Sequence, residues 1–161
     1  MSEIKNKKVF NLILLFSIFA LIAAYFIQYV LKHQPCNLCL IERIPYIFSI
    51  MIISICLFTK KFEKLSLITL SLIFFSATLI AFYHFSIEQG FIKESLVCDL
   101  SNEDNNLSKE ALLNRLKEIP VSCKDVTFRI FGLSLATFNI FITLILGTIT
   151  TKLFLTYEKN R

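Results

Sequence analysis

The sequence predicts an all-α fold, an integral membrane four-helix up-down bundle with a long outward loop that carries a short amphipathic helix. Three observations predict it. Apolar residues make up 55% of the 161 positions and charged residues only 18%, against roughly 25% charged in an ordinary globular domain. The apolar residues fall into four runs long enough, or nearly so, to cross a bilayer, which takes about 20 residues. Three glycines and three prolines leave little material for a turn-rich β fold. A disordered chain, a collagen-like chain and a small disulfide-stapled secreted domain are excluded by the same figures. The net charge of +5 does not point to nucleic acid, because no basic stretch is interleaved with aromatics and the charges sit between apolar runs. The chain reads as a single membrane domain, 1–161.

The first span covers about 9–31 and holds no charge. It is longer than the roughly 7 to 15 apolar residues of a signal peptide, and no small-x-small cleavage site follows it, so it reads as a permanent helix. The second covers about 40–58, with Glu42 and Arg43 near its start. The third covers about 65–85 and ends in Tyr83 and His84. The fourth covers about 130–150. Short connections make neighbouring spans antiparallel. Two small-xxx-small pairs, Ala20 with Ala24 and Gly132 with Ala136, offer close helix approach on spans one and four. In the loop over 86–127, Leu112, Leu113, Leu116 and Ile119 recur with helical spacing. Ser108 is placed to cap that run and Pro120 to stop it, which predicts an amphipathic helix at the membrane interface.

The distribution of Lys and Arg orients the bundle. Lys5, Lys7, Lys8, Lys60, Lys61, Lys64, Lys152, Lys159 and Arg161 share one side with three acids, whereas the loop over 86–127 has five positives against eight acids. Both termini and the short second connection therefore face the cytoplasm. The gap after span one and the long loop face outward.

Four of the five cysteines fall on that outward side. Cys36 and Cys39 form a C-x-x-C after span one, Cys98 and Cys123 lie in the long loop, and only Cys56 sits within a span, where it reads as a small apolar filler. A haem attachment site would need a histidine at position 40, which is Leu40. A zinc site made of the four outward cysteines would lack a second C-x-x-C, so no metal is assigned. A static disulfide remains open for Cys98 and Cys123. A bridge between Cys36 and Cys39 closes too small a loop to stabilise much, and such bridges are usually redox-active. Four cysteines allow three connectivities. Arg43, four residues past Cys39, is placed to favour a thiolate or hold an anionic ligand, although Pro45 could make the regular helix start later. Gln28 and Asn139 are polar residues within spans that interhelical hydrogen bonds would explain.

The run Gln34-Pro35-Cys36-Asn37-Leu38-Cys39-Leu40-Ile41-Glu42-Arg43 resembles the bacterial disulfide bond formation protein B family, DsbB. Four spans, a second outward cysteine pair, Tyr83-His84 and Phe131-Gly132-Leu133 extend the resemblance over nearly the whole chain. The quinone-linked vitamin K epoxide reductase type also has four helices and a C-x-x-C, but there the motif lies in the last helix of the core bundle. The resemblance implies a bacterial inner-membrane protein dithiol:quinone oxidoreductase with its cysteine loops in the periplasm, and a role in keeping that compartment oxidising. It implies catalytic Cys36, Cys39, Cys98 and Cys123, a mixed disulfide at Cys98, and a quinone (ubiquinone or menaquinone) as acceptor; Arg43 is placed beside it, and His84, where span three also ends on the outward face, is the candidate hydrogen-bond donor to it or else an interfacial aromatic-belt residue beside Tyr83. It implies a thioredoxin-like, DsbA-like dithiol partner, with membrane lipid around the bundle. A relative dedicated to one special substrate, and a non-enzymatic tetraspan protein with static disulfides, are the alternative readings.

Overall fold

The structure, a computed structural model, describes residues 2–59, 62–93, 122–124, 129–130 and 132–159. The elements are α1 (Ser2–Tyr29), α2 (Asn37–Ile41), α3 (Ile44–Thr59), α4 (Glu63–Glu88), β1 (Arg129–Ile130), β2 (Leu133–Ser134) and α5 (Leu135–Lys159). Four helical stretches are long and apolar enough to cross a membrane: Lys7–Tyr29, Asn37–Thr59 (α2 with α3), Glu63–Glu88 and Leu135–Lys159. Among the described residues the fold is all-α apart from one hairpin of two two-residue strands. The amphipathic helix expected over 108–119, and Cys98, lie outside the described residues.

The helix ends differ from the sequence expectation in three places, each for a local reason. The second span starts earlier and is broken at Glu42 and Arg43. Pro45 has no N–H to continue the ladder, and its ring would meet the carbonyl of Ile41. The helix therefore stops at Ile41 and restarts at Ile44, with Pro45 in the first turn, where a missing donor costs little. The third span runs on to Glu88. Gly90 at φ +78 closes it: Gly90 N–H donates to Ile87 O at 2.9 Å and Phe91 N–H to Ser86 O at 3.0 Å, the paired bonds of a Schellman stop.

The fourth helix begins at Leu135, not near Ile130. Residues before it turn back at Gly132 (φ +83) and pair antiparallel, Arg129 with Ser134 and Ile130 with Leu133. The Ser134 hydroxyl then accepts the Thr137 N–H at 3.3 Å, capping the new helix. Gly132 and Ala136 thus do not form a small pair on one helix. The glycine set between helices is Gly147, where an added Cβ would lie 3.5 Å from Phe74 and Phe75 of α4.

The helices pack in the order α1–α3–α4–α5, with α4 against α5 the most extensive interface and α1 barely touching α5. The main core includes Phe10, Ile13, Ile53, Cys56, Leu67, Leu70, Phe74 and Leu146 and fills the bundle away from the cysteine end. Cys56 is buried there, as its reading as a filler requires. A second buried cluster, Cys36, Leu38, Ile87 and Cys123, closes the opposite end. Large side chains such as Leu15, Phe19, Ile22, Leu72 and Leu79 stay exposed on the outer faces, where lipid rather than water is the expected neighbour.

Candidate redox site at the cysteine end

The site is assembled by four helices. Cys36 N-caps the short α2: its sulfur accepts the Cys39 N–H at 3.3 Å. The Cys36 and Cys39 sulfurs are 2.8 Å apart as free thiols sharing a hydrogen bond. α4 brings His84 from the far side of the bundle, its Nε2 3.4 Å from the Cys36 sulfur. His84 is 2% exposed, because α4 continues a full turn past it and holds it inside, away from an interfacial aromatic belt.

The histidine is held by Glu42, the residue in the turn between α2 and α3. The Glu42 carboxylate accepts from His84 Nδ1 at 2.7 Å through one oxygen and from Asn139 Nδ2 at 2.8 Å through the other. Tyr46 O–H donates to Asn139 Oδ1 at 2.5 Å and completes the chain. A buried carboxylate is costly unless its lone pairs are occupied, and here α3, α4 and α5 each supply a member of the network. Glu42 does not pair with its sequence neighbour. Arg43 turns toward α1, donates to Gln28 Oε1 at 2.6 Å and lies 4.9 Å from the Tyr25 ring centre.

The hydrogen bond shared with Cys39 is the main influence on the Cys36 thiol, holding it down to about 4. Burial opposes that shift, and the His84 imidazole adds to it through its hydrogen bond and its charge. Cys36 is therefore a thiolate at neutral pH, the form that attacks disulfides and binds soft metals.

One cavity of about 390 Å³ joins these groups. Cys36, Cys39, Glu42, Arg43, Tyr46 and His84 line it together with Ser122 and Cys123. Cys123 is disulfide-bonded. The remaining wall is apolar, built from Phe16, Phe19, Ala20, Ala24 and Ile27 of α1 and Leu135, Phe138 and Ile142 of α5. It lies on the side where α1 and α5 barely touch, and Phe19 at its rim is 66% exposed. Ala20 and Ala24 line this wall, and Ala20 also packs against the main core.

A model of the family "disulfide bond formation protein DsbB" matches residues 6–153. The chain belongs to the DsbB family. An uncharacterized protein of Rickettsia prowazekii (strain Madrid E) is 31% identical over 156 residues, covering 95% of this chain and 90% of that relative. Membership ties this multi-pass membrane protein to disulfide bond formation.

Of the sequence-predicted residues, Cys36, Cys39, Arg43, His84 and Cys123 all line the cavity. Arg43 gets there without a continuous helix from Cys39, since the Pro45 break redirects it. The DsbB-type motif placed Glu42 beside the arginine, but its bond to His84 and Asn139 is a tertiary contact that chain spacing does not reveal. In the sequence, Glu88 figures only among the eight acids of the loop over 86–127. It stands one turn beyond His84, its side chain is 6% exposed and its Oε1 is 3.6 Å from His84 Nε2. The four-residue spacing from His84 was the signal that could have found it.

Proposed function

We propose that this DsbB-family protein is a protein dithiol:quinone oxidoreductase of the bacterial inner membrane, with both termini cytoplasmic and the cysteine end periplasmic. The observation that carries the reading is the single apolar cavity shared by the Cys36–Cys39 pair, the bridged Cys123, Arg43 and His84. Its volume falls within the 300–1,000 Å³ range of small-molecule sites, and its mixture of apolar wall and few polar groups is the usual one for such sites. A quinone bound there would supply a two-electron, two-proton acceptor.

The chain's own residues do the rest. A thiolate of a reduced, thioredoxin-like periplasmic partner attacks Cys98 of a Cys98–Cys123 bridge, forming a mixed disulfide and releasing the Cys123 thiolate. The partner's second thiolate then attacks that mixed disulfide, freeing the oxidised partner. Cys123 attacks Cys36 of a Cys36–Cys39 bridge, and the released Cys39 carries the electron pair toward the cavity. Re-forming both bridges balances the cycle: partner dithiol plus quinone gives partner disulfide plus quinol. His84, held by Glu42, stabilises the Cys36 thiolate and is positioned to move a proton at Nε2. Arg43, anchored by Gln28, offers a cation to a quinone oxygen.

The test is anaerobic mixing of the purified protein with a reduced C-x-x-C partner and either ubiquinone or menaquinone, following quinone absorbance. Stoichiometric loss of the quinone band with oxidation of the partner is the expected result. No loss with either quinone, while the cysteines of the protein stay intact, would overturn the assignment.

A further inference from the structure

We infer that the reduced site is also a soft-metal site, in which Cys36, Cys39, His84 and Glu88 would hold a zinc-like dication. The sulfurs of Cys36 and Cys39 and a ring nitrogen of His84 lie within 4.8 Å of one another. Tetrahedral zinc, with Zn–S near 2.3 Å and Zn–N near 2.0–2.1 Å, sets its ligand atoms about 3.5–3.8 Å apart. Cys36 Sγ to His84 Nε2, at 3.4 Å, is already close to that spacing. The two sulfurs, at 2.8 Å, must part by about 1 Å, a side-chain adjustment.

Two further observations point the same way. His84 Nδ1 is bonded to the Glu42 carboxylate at 2.7 Å, so the ring presents Nε2 to the cysteines in the carboxylate–histidine arrangement that orients metal-binding imidazoles. Glu88 lies beside these three ligands, outside the set of mutually close ligand atoms, and would swing in to become the fourth donor. Its Oε1 is 3.6 Å from His84 Nε2, its side chain is 6% exposed, and its Oε2 is buried with no hydrogen-bond partner among the described residues, although Ser134 hydrogen-bonds the carboxylate. A buried carboxylate oxygen without a partner is costly, and a cation would satisfy it. This ligand set differs from the four outward cysteines that spacing argued against, because α4 contributes two of its members.

The bridged form of the pair offers no thiolates, so binding belongs to the reduced state alone. An ion held by both sulfurs would stop the Cys36–Cys39 bridge from re-forming. That consequence rests on the oxidoreductase reading above; the binding itself does not.

The probe is Co²⁺ added to the full-length Cys98→Ser/Cys123→Ser chain in detergent, reduced with a phosphine. One equivalent of Co²⁺ should give thiolate-to-cobalt charge-transfer absorption with tetrahedral d–d bands, and Zn²⁺ should displace it. Oxidising the pair should abolish the signal. Glu42→Gln, which keeps every ligand, should weaken Zn²⁺ binding by roughly 10- to 100-fold. Glu88→Gln should alter the d–d bands and leave the charge-transfer band. Absence of the charge-transfer band in the reduced chain, or its persistence in Cys36→Ser, would overturn the site; unchanged d–d bands in Glu88→Gln would overturn the four-ligand set. Quinone turnover is measured separately: a cobalt spectrum without turnover removes the oxidoreductase reading, and turnover without a spectrum removes the metal site.

Discussion

The two ends of the bundle hold their polar groups in opposite ways. Away from the cysteines, the buried polar contacts between helices are made by neutral hydroxyls: Ser17 with Ser49 at 3.0 Å, Ser71 with Thr151 at 2.7 Å, Thr78 with Thr143 at 2.9 Å, and the Lys64–Glu158 ion pair at 2.8 Å between α4 and α5 lies exposed at the helix ends. In each hydroxyl pair one hydroxyl can donate to the other while its partner donates to a carbonyl of its own helix, as Ser49 does to Tyr46 O at 2.8 Å and Thr151 to Gly147 O at 2.8 Å. They carry no charge and need no distant partner. At the cysteine end, Glu42, Arg43, His84 and Glu88 crowd around two thiols, and their partners come from different helices. Ionisable groups at membrane depth are expensive and mark function by default. Among the described residues, hydroxyls join the helices inside the bundle, and buried charge gathers at the cavity with the cysteines.

Substitutions at the two ends test that contrast, and the largest effect belongs to the thiols. Cys39→Ser should abolish quinone reduction by the purified protein while a mixed disulfide between Cys98 and the partner still forms on non-reducing gels. Normal quinone reduction would remove Cys39 from the relay.

The next effect concerns charge on Cys36. With the thiol held down to about 4, its thiolate is lost only as pH falls through that value. Alkylation of Cys36 should therefore be nearly flat between pH 5 and 7, where an ordinary thiol would speed up roughly a hundredfold. A hundredfold rise, read by mass spectrometry of the modified peptide, would show that the surroundings of Cys36 do not stabilise the anion.

Glu42→Gln removes the carboxylate that orients His84. Quinone reduction should slow by roughly a hundredfold, in line with loss of a positioned acid–base group, with a smaller change in KM. A change in KM alone would mark Glu42 as part of quinone binding. Arg43→Ala should raise the apparent quinone KM by roughly tenfold, about 1.4 kcal/mol, as expected for a charged hydrogen bond. An unchanged KM would reduce Arg43 to an anchor on Gln28 and Tyr25.

The hydroxyl end should respond least. Ser17→Ala removes one partner of the Ser17–Ser49 pair and should cost about 0.6 kcal/mol, seen as a small fall in the unfolding midpoint with kinetics unchanged. A kinetic effect as large as that of Glu42→Gln would erase the distinction between the two ends.

Hydropathy and charge spacing were sufficient to read four spans, because a bilayer imposes length and polarity on each segment independently of its neighbours. The C-x-x-C with Glu42 and Arg43 was legible for a similar reason: those residues are close in the chain, and they carry the DsbB resemblance. Helix ends were less legible. Gly132 lies within an apolar run, and only the hairpin pairing Arg129 with Ser134 reveals that the helix starts after it. Pro45 signalled a break, but not that the break would send Glu42 inward to α4 and α5 and Arg43 outward to α1.

The chain by itself determined the membrane class and the motif around Cys36, Cys39, Glu42 and Arg43, since each follows from local composition or short-range spacing. Only the tertiary structure decided that His84 meets Cys36 across 48 residues of chain, that Glu42 bonds His84 and Asn139, and that Glu88 is buried beside them. Those contacts join α2, α3, α4 and α5 at one level of the bundle. The depth and rotation of a helix are set by what it packs against, and the linear order of residues does not encode that relation directly.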